Sequence, residues 1–299
     1  MVSAPSRRPY TGACGILIPK PGRTCRGFDG PQARPIKIAI SGKGGVGKTT
    51  VTAVWGRLFA DEGRQVFLVD ADPDANLASA VGVPAARLPA PLASLKDLIR
   101  ERTGADPDHV GQYFRLNPHV ADLPEAYGVS VAGMRLLVLG GIRGGGQGCA
   151  CPQGTFLKAM MRHLMLERRE VLLVDMEAGL EFLGRASVLG TDALVAVVEP
   201  GQRSLETAHA IARMGREIGV GRLAAVLNKV TDEAQVETVR RHLPEGMPLL
   251  GRVLYSLALG RADLEGRPIL GVDPKVEAAL AEAKRNLEAM VAAAAPPAP

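Results

Sequence analysis

The chain is 299 residues long but has only four cysteines, Cys14, Cys25, Cys149 and Cys151. These are too few and too scattered to form the disulfide framework of a small secreted protein. No apolar run approaches the roughly 18 residues of a membrane-spanning helix, and the N-terminus lacks the compact apolar stretch of a secretory signal. Membrane partnership is therefore not expected, and a cytoplasmic location is. An excess of positive charge is missing too, once the net +5 is mapped along the chain. Up to Pro35, Arg7, Arg8, Lys20, Arg23, Arg26 and Arg34 face Asp29 alone, and the rest of the chain holds 30 basic and 30 acidic residues. A basic footprint for nucleic acid is absent from that part, so no nucleic-acid partner is expected. There is no internal repeat.

What is present fits an intracellular α/β enzyme, since 46% hydrophobic residues can bury a sizeable core. Residues 1–35 are rich in Pro, Gly and Arg without periodicity. They are expected to be a disordered leader or the result of a start assigned too far upstream. Cys14 and Cys25, separated by a ten-residue gap in that leader, make a poor metal pair. Residues 36–292 read as a single domain with an insertion at about 78–134, and 293–299 as a frayed tail. Apolar strands are expected at Ile36–Ile40, Val66–Asp70, Leu136–Gly140, Val171–Asp175, Ala193–Val198, Leu223–Asn228 and Leu249–Val253. Helices are expected at Thr155–Arg168, Ser204–Glu217, Glu233–His242 and Lys275–Val291. That alternation predicts a mostly parallel central sheet flanked by crossover helices.

The strongest local signal is GKGGVGKTT at Gly42–Thr50. Gly42, Gly47, Lys48 and Thr49 complete a phosphate-binding loop directly after the strand Ile36–Ile40. Gly44 and Gly45, with Val46 between them and Gly47, let consecutive backbone N–H groups turn inward around a β-phosphate. The following helix, with Val51, Val54, Trp55, Leu58 and Phe59 on one face, points its positive end at the same charge. Lys48 is expected on the β- and γ-phosphates, Thr49 on Mg²⁺, and Thr50 in the nucleotide-binding set. An acid on the metal side is Asp175, which ends the apolar run Val171–Val174. A carboxylate there can hold Mg²⁺ through water and sense the γ-phosphate through the loop 176–184. Glu177 and Glu181 lie in that loop and read as solvated acids.

Lys43 is a second lysine in a loop that already has one for its nucleotide. The arrangement resembles the deviant Walker loop of the MinD, ParA and nitrogenase iron-protein ATPases. That resemblance implies that Lys43 reaches across a homodimer to the partner's nucleotide, where charge delivered in trans can be worth roughly 10³ to 10⁵ in rate. It also implies that Asp72, in Val69-Asp70-Ala-Asp72-Pro-Asp74, orients the attacking water and helps hold Mg²⁺, while Asp70 shapes the loop. The alternative for this stretch is an Asp-Pro turn without chemistry. Asn228-Lys229 follows an apolar strand where related ATPases and GTPases meet the purine base. No Asp follows at guanine spacing, so adenine is favoured, and ATP is the expected nucleotide. A turn-capping Asn is the competing reading.

Residues Gly145-Gly-Gln-Gly-Cys149-Ala-Cys151-Pro place two thiols at i and i+2 in a glycine-rich loop before a helix, able to chelate one soft metal ion. Two ligands leave a tetrahedral ion half-bound. If two chains meet face to face, two such pairs supply four thiolates to one Zn²⁺ or Ni²⁺ ion. Here the chain resembles the CooC-type ATPases, nickel-insertion accessory proteins of carbon monoxide dehydrogenase. The resemblance rests on GKGGVGKTT, VDADPDANL (69–77), GGQGCACPQGTFL (145–157), VDMEAGLEFLGR (174–185), VVEPGQRSLETA (197–208) and LNKV (227–230). It implies an ATP-hydrolysing metallochaperone with Cys149 and Cys151 as nickel or zinc ligands. Carbon monoxide dehydrogenase, or the related acetyl-CoA synthase, would be the client. The leader and the segment Val253–Ser256 depart from the family pattern. Two other readings are a ParA- or MinD-like positioning ATPase, disfavoured by the neutral helix Lys275–Val291, and an iron–sulfur reductase, disfavoured by the adjacency of the two cysteines.

Overall fold

The computed structural model describes residues 34–109, 111–140, 151–167, 170–177 and 190–293. In chain order these form β1 (Lys37–Ser41), α1 (Lys48–Asp61), β2 (Val66–Ala71), α2 (Leu77–Ala80), α3 (Lys96–Thr103), α4 (Leu123–Tyr127), β3 (Val129–Val131), β4 (Met134–Val138), α5 (Pro152–Glu167) and β5 (Val171–Met176). They continue with β6 (Ala193–Val198), α6 (Gln202–Ile218), β7 (Leu223–Val230), α7 (Glu233–His242), β8 (Leu249–Leu254), α8 (Leu257–Leu264) and α9 (Pro274–Ala293). Two short 3₁₀ turns, Ala85–Arg87 and Leu92–Ser94, lie between α2 and α3.

The eight strands form one sheet in the order β3-β4-β2-β5-β1-β6-β7-β8. All neighbours are parallel except β3 and β4, as the alternation of apolar strands and helices predicts. The central strands β1, β2, β5 and β6 are buried at every residue. That explains why they read as unbroken apolar runs rather than alternating ones. At the edge, β8 is partly exposed, with Arg252 and Leu254 outward.

Each face carries a core. On one, Trp55 and Phe59 of α1 pack with Leu280 and Leu287 of α9, and the Trp55 indole N–H donates to the Leu280 carbonyl at 2.9 Å. Gly56 allows α1 to lie close on the sheet, because a Cβ there would come within 2.8 Å of Leu68 and Met134. Lys284 is 2% exposed and satisfied: its ammonium donates to Glu62 at 2.7 and 2.8 Å and to Glu288 at 2.9 Å, and it lies 4.0 Å from the centre of the Phe59 ring. On the other face, Phe156 and Met160 of α5 share a core with Ile211 of α6 and with Leu92, Ile99 and Leu123. The stretch 78–134 therefore contributes buried residues to this layer.

The strand expected at Leu136–Gly140 starts and ends two residues earlier, at Met134 and Val138. Met134 is drawn in by the antiparallel partner β3. At the far end Gly140 turns away with φ 70°, while Leu139 and Gly140 still donate to the Asp70 carbonyl at 2.8 and 3.3 Å. Helix α8 was not anticipated. It follows Ser256, whose hydroxyl accepts from the Leu259 N–H and caps its start. Among the described residues no helix is long and apolar enough to cross a membrane.

Candidate functional site

In an open parallel sheet, ligands gather beyond the carboxyl ends of the strands. Here that edge collects the loop after β1, Asp70 from β2 and Asp72 just after it, Asp175 from β5, Glu199 after β6 and Asn228 from β7.

The loop Gly42–Gly47 is shaped by close approach as much as by flexibility. A Cβ on Gly42 would sit 2.5 Å from the Val197 carbonyl oxygen. Gly47 caps α1 in the left-handed region at φ 97° and presses against the Asn228 amide. Two side chains from the end of β7 hold the loop from outside. The Asn228 amide donates to the Val46 carbonyl at 2.8 Å and the Lys229 ammonium to the Gly45 carbonyl at 2.5 Å. A carbonyl drawn outward turns the next peptide N–H the other way, so the Asn228 bond aims the Gly47 N–H into the cradle. Lys229 itself adopts φ 58°, an uncommon conformation for a residue with a Cβ.

Lys48 is buried at the start of α1, with its ammonium 3.5 Å from Asp72. The Thr49 hydroxyl donates to Asp175 Oδ2 at 2.6 Å. Asp175 is 1% exposed, and its Oδ1 is a buried oxygen without a hydrogen-bond partner. Register places Asp70 directly opposite Asp175 on adjacent strands. Burial, and then the negative charge of Asp70, push the Asp175 carboxyl up to about 7. Burial likewise raises Asp70 to about 6, against the opposing effect of N–H bonds from Leu77 and Asp72 at 2.9 and 3.2 Å. Asp70 thus shapes the loop that presents Asp72, which in turn accepts the Asp74 N–H at 3.0 Å.

An orphaned carboxylate oxygen beside a threonine hydroxyl fits a hard divalent cation, which takes oxygen ligands. Thr49 and Asp175 are the residues that would hold Mg²⁺, with Asp72 facing the same space from beside Lys48. Bound there, the ion would neutralise phosphate charge and polarise the γ-phosphoryl group.

Other contacts were not foreseen. The Glu199 carboxylate lies 3.8 Å from Lys43 and 3.5 Å from Lys229, and its backbone N–H donates to Ser204 Oγ at 3.0 Å. An acid just after an apolar strand was the signal that found Asp70 and Asp175, and it applied here too. The Ser41 hydroxyl donates to the Glu177 carbonyl at 2.8 Å, tying the end of β1 to the end of β5. The Glu177 side chain is exposed, and Glu181 lies outside the described residues.

Cys149 also lies outside the described residues, as do Cys14 and Cys25. Cys151 is half-buried immediately before α5, and its Sγ accepts the Gly154 N–H at 3.2 Å. Among the described residues no cluster of three His, Cys, Asp or Glu side chains is arranged to hold a metal.

The sheet order, loop and acids define a P-loop nucleotide-binding protein. Residues 37–269 match the CobQ/CobB/MinD/ParA nucleotide binding domain family. The carbon monoxide dehydrogenase accessory protein CooC of Rhodospirillum rubrum is 42% identical over 241 residues, 80% of this chain and 91% of that protein. An uncharacterised ATP-binding protein of Methanocaldococcus jannaschii is 40% identical over 78% of this chain and 91% of its own length. Among solved structures, a chain of the MinC:MinD cell division protein complex of Aquifex aeolicus superposes with a TM-score of 0.61 at 21% identity, covering 85% of this chain and 96% of that one. The chain belongs to the CobQ/CobB/MinD/ParA family and, within it, to the CooC-type P-loop ATPases.

Proposed function

We propose that this ATPase is a cytoplasmic metallochaperone that pairs with a second copy of itself when ATP and Mg²⁺ are bound. Cys149 and Cys151 of each chain bind one Ni²⁺ or Zn²⁺ ion between the subunits, for delivery to a nickel carbon monoxide dehydrogenase or the related acetyl-CoA synthase. The observation that most favours it is the seat of Cys151, whose sulfur takes a backbone N–H at the start of α5. Two such ligands per chain become a tetrahedral S₄ set only when two chains meet.

The reaction is attack of water on the γ-phosphorus, giving ADP and phosphate. The inward N–H groups of the loop and Lys48 hold the phosphate charge, Asp72 orients the water, and Asn228 borders the base. Lys43 of each chain is released from Glu199 to reach the partner's nucleotide. Hydrolysis removes the γ-phosphate contacts that hold the dimer, and the metal site opens with it.

The test is to measure metal stoichiometry and molecular mass with ATP for the wild type and for Cys149→Ala/Cys151→Ala. The expected result is one ion per two chains in a nucleotide-bound dimer, lost in the double variant. One ion per chain, indifferent to the substitutions, would overturn the shared site.

A further inference from the structure

The described residues on either side of 141–150 are fastened to one residue, Ala93. Ala93, in the 3₁₀ turn Leu92–Ser94, donates its N–H to the Leu139 carbonyl at 2.9 Å, where the chain leaves β4. The same residue's carbonyl accepts the Gln153 side-chain amide at 2.8 Å, where the chain enters α5 beside Cys151. The turn is held firmly, with Leu92 and Ala93 sharing a core with Phe156 and Met160. Gly140 leaves room for it, since a Cβ there would lie 2.8 Å from Pro91.

The same strand end reaches the nucleotide acids. Leu139 and Gly140 donate to the main-chain carbonyl of Asp70 at 2.8 and 3.3 Å, and the Asp70 side chain holds the loop carrying Asp72, Lys48's partner. A continuous set of hydrogen bonds therefore runs from Asp72 through Asp70, Leu139 and Ala93 to Gln153. Backbone atoms make every link but those at the two ends, the Asp70 carboxylate and the Gln153 amide.

We infer that Gln153 is a positioning residue that couples the nucleotide site to Cys151. When nucleotide alters the Lys48–Asp72 pair, the strain passes along β2 and the end of β4 to the Ala93 turn, and the Gln153 amide conveys it to the start of α5. The inference rests on the reading of Cys151 as a metal ligand.

The experiment is a titration of Ni²⁺ into the full-length protein with and without a non-hydrolysable ATP analogue, read by the thiolate-to-metal absorption band. The readout is the ratio of the two affinities, because a merely structural change would weaken both alike. Gln153→Leu keeps the bulk and removes the donor, and Gln153→Glu replaces it with an acceptor facing a carbonyl. Gln153→Arg restores a donor that can reach Ala93. Loss of one such bond is expected to shrink the ratio about fivefold in the Leu and Glu variants and to leave it near wild type in the Arg variant. Thermal melting identifies any variant that fails to fold, and having two donor-free variants means the failure of one does not end the test. An unchanged ratio in a folded donor-free variant would overturn the inference. A wild type whose Ni²⁺ band does not depend on Cys151 would instead overturn the metal reading on which it stands.

Discussion

The phosphate-binding loop and the start of α5 lie at the same sheet edge but are organised in different ways. The loop carries its chemistry in one contiguous stretch, Gly42–Thr50, and its neighbours only trim it: Val197 from behind, Asn228 and Lys229 from outside. At the start of α5 the Cys151 sulfur accepts the Gly154 N–H and its carbonyl accepts the Thr155 N–H, and the further anchor, Gln153 to Ala93, spans 60 positions. A site that binds phosphate through its own backbone can be built locally. The proposed two-thiol site would draw on distant support to hold its geometry, and on a second chain to complete it.

The sharpest way to break that contrast is Lys43→Ala, which removes the one loop residue assigned to work outside its own chain. ATP binding should persist while turnover falls by about 10³-fold or more, followed by phosphate release at saturating ATP. Turnover within tenfold of wild type would mean that each chain completes hydrolysis alone.

Next comes Asp175→Asn, expected to cost about 10²-fold in rate by weakening the hold on Mg²⁺. It also has a signature in pH. Asp175 and Asp70 sit above the ordinary carboxyl value of 3.8, at about 7 and about 6, so between those limits the folded chain binds more protons than the unfolded one. Stability from these groups is therefore greatest at low pH and declines as pH rises toward 7. The acids held below their ordinary value, Asp106, Asp122 and Asp273, act in the opposite sense and only at about pH 4 or lower. From pH 5 to 8 the nucleotide-free melting temperature should thus drop by several degrees. Asp175→Asn should flatten the drop, as should Mg²⁺ with nucleotide. A rising or level wild-type profile would refute the account of this carboxylate pair.

A smaller effect is expected from Gly42→Ala. Its Cβ would meet the Val197 carbonyl at 2.5 Å, costing about 1–3 kcal/mol of stability, visible as a lower denaturant midpoint together with weaker ATP binding. The smallest should follow Glu199→Gln. Its partners are half-exposed lysines at 3.5 and 3.8 Å, and such pairs are worth about 1 kcal/mol at most, so ATP affinity should change by less than about fivefold.

The pattern of these effects follows what could be read from residue order. Lys48, Thr49 and the helix behind them were legible because a loop flanked by a strand and a helix is a local object. Asp70 and Asp175 were legible as acids ending apolar runs. Their direct opposition across β2 and β5 was not, because register depends on which strands pair. Glu199 carried the same signal as those two acids, but only the placement of β6 beside β1 brings it to Lys43. The Asn228 amide also donates to the Val46 carbonyl, a contact across 182 positions that no local pattern encodes.

The sequence by itself determined the nucleotide class, the parallel α/β architecture and the two-thiol motif. Each of these follows from short-range spacing and from apolar periods of one element. The tertiary structure alone decided the coupling of Asp70 with Asp175, the bracing of the loop by Asn228 and Lys229, and the fastening of Leu139 and Gln153 to Ala93. Those depend on strand order and on buried contacts between distant segments, where burial strengthens each charge and hydrogen bond.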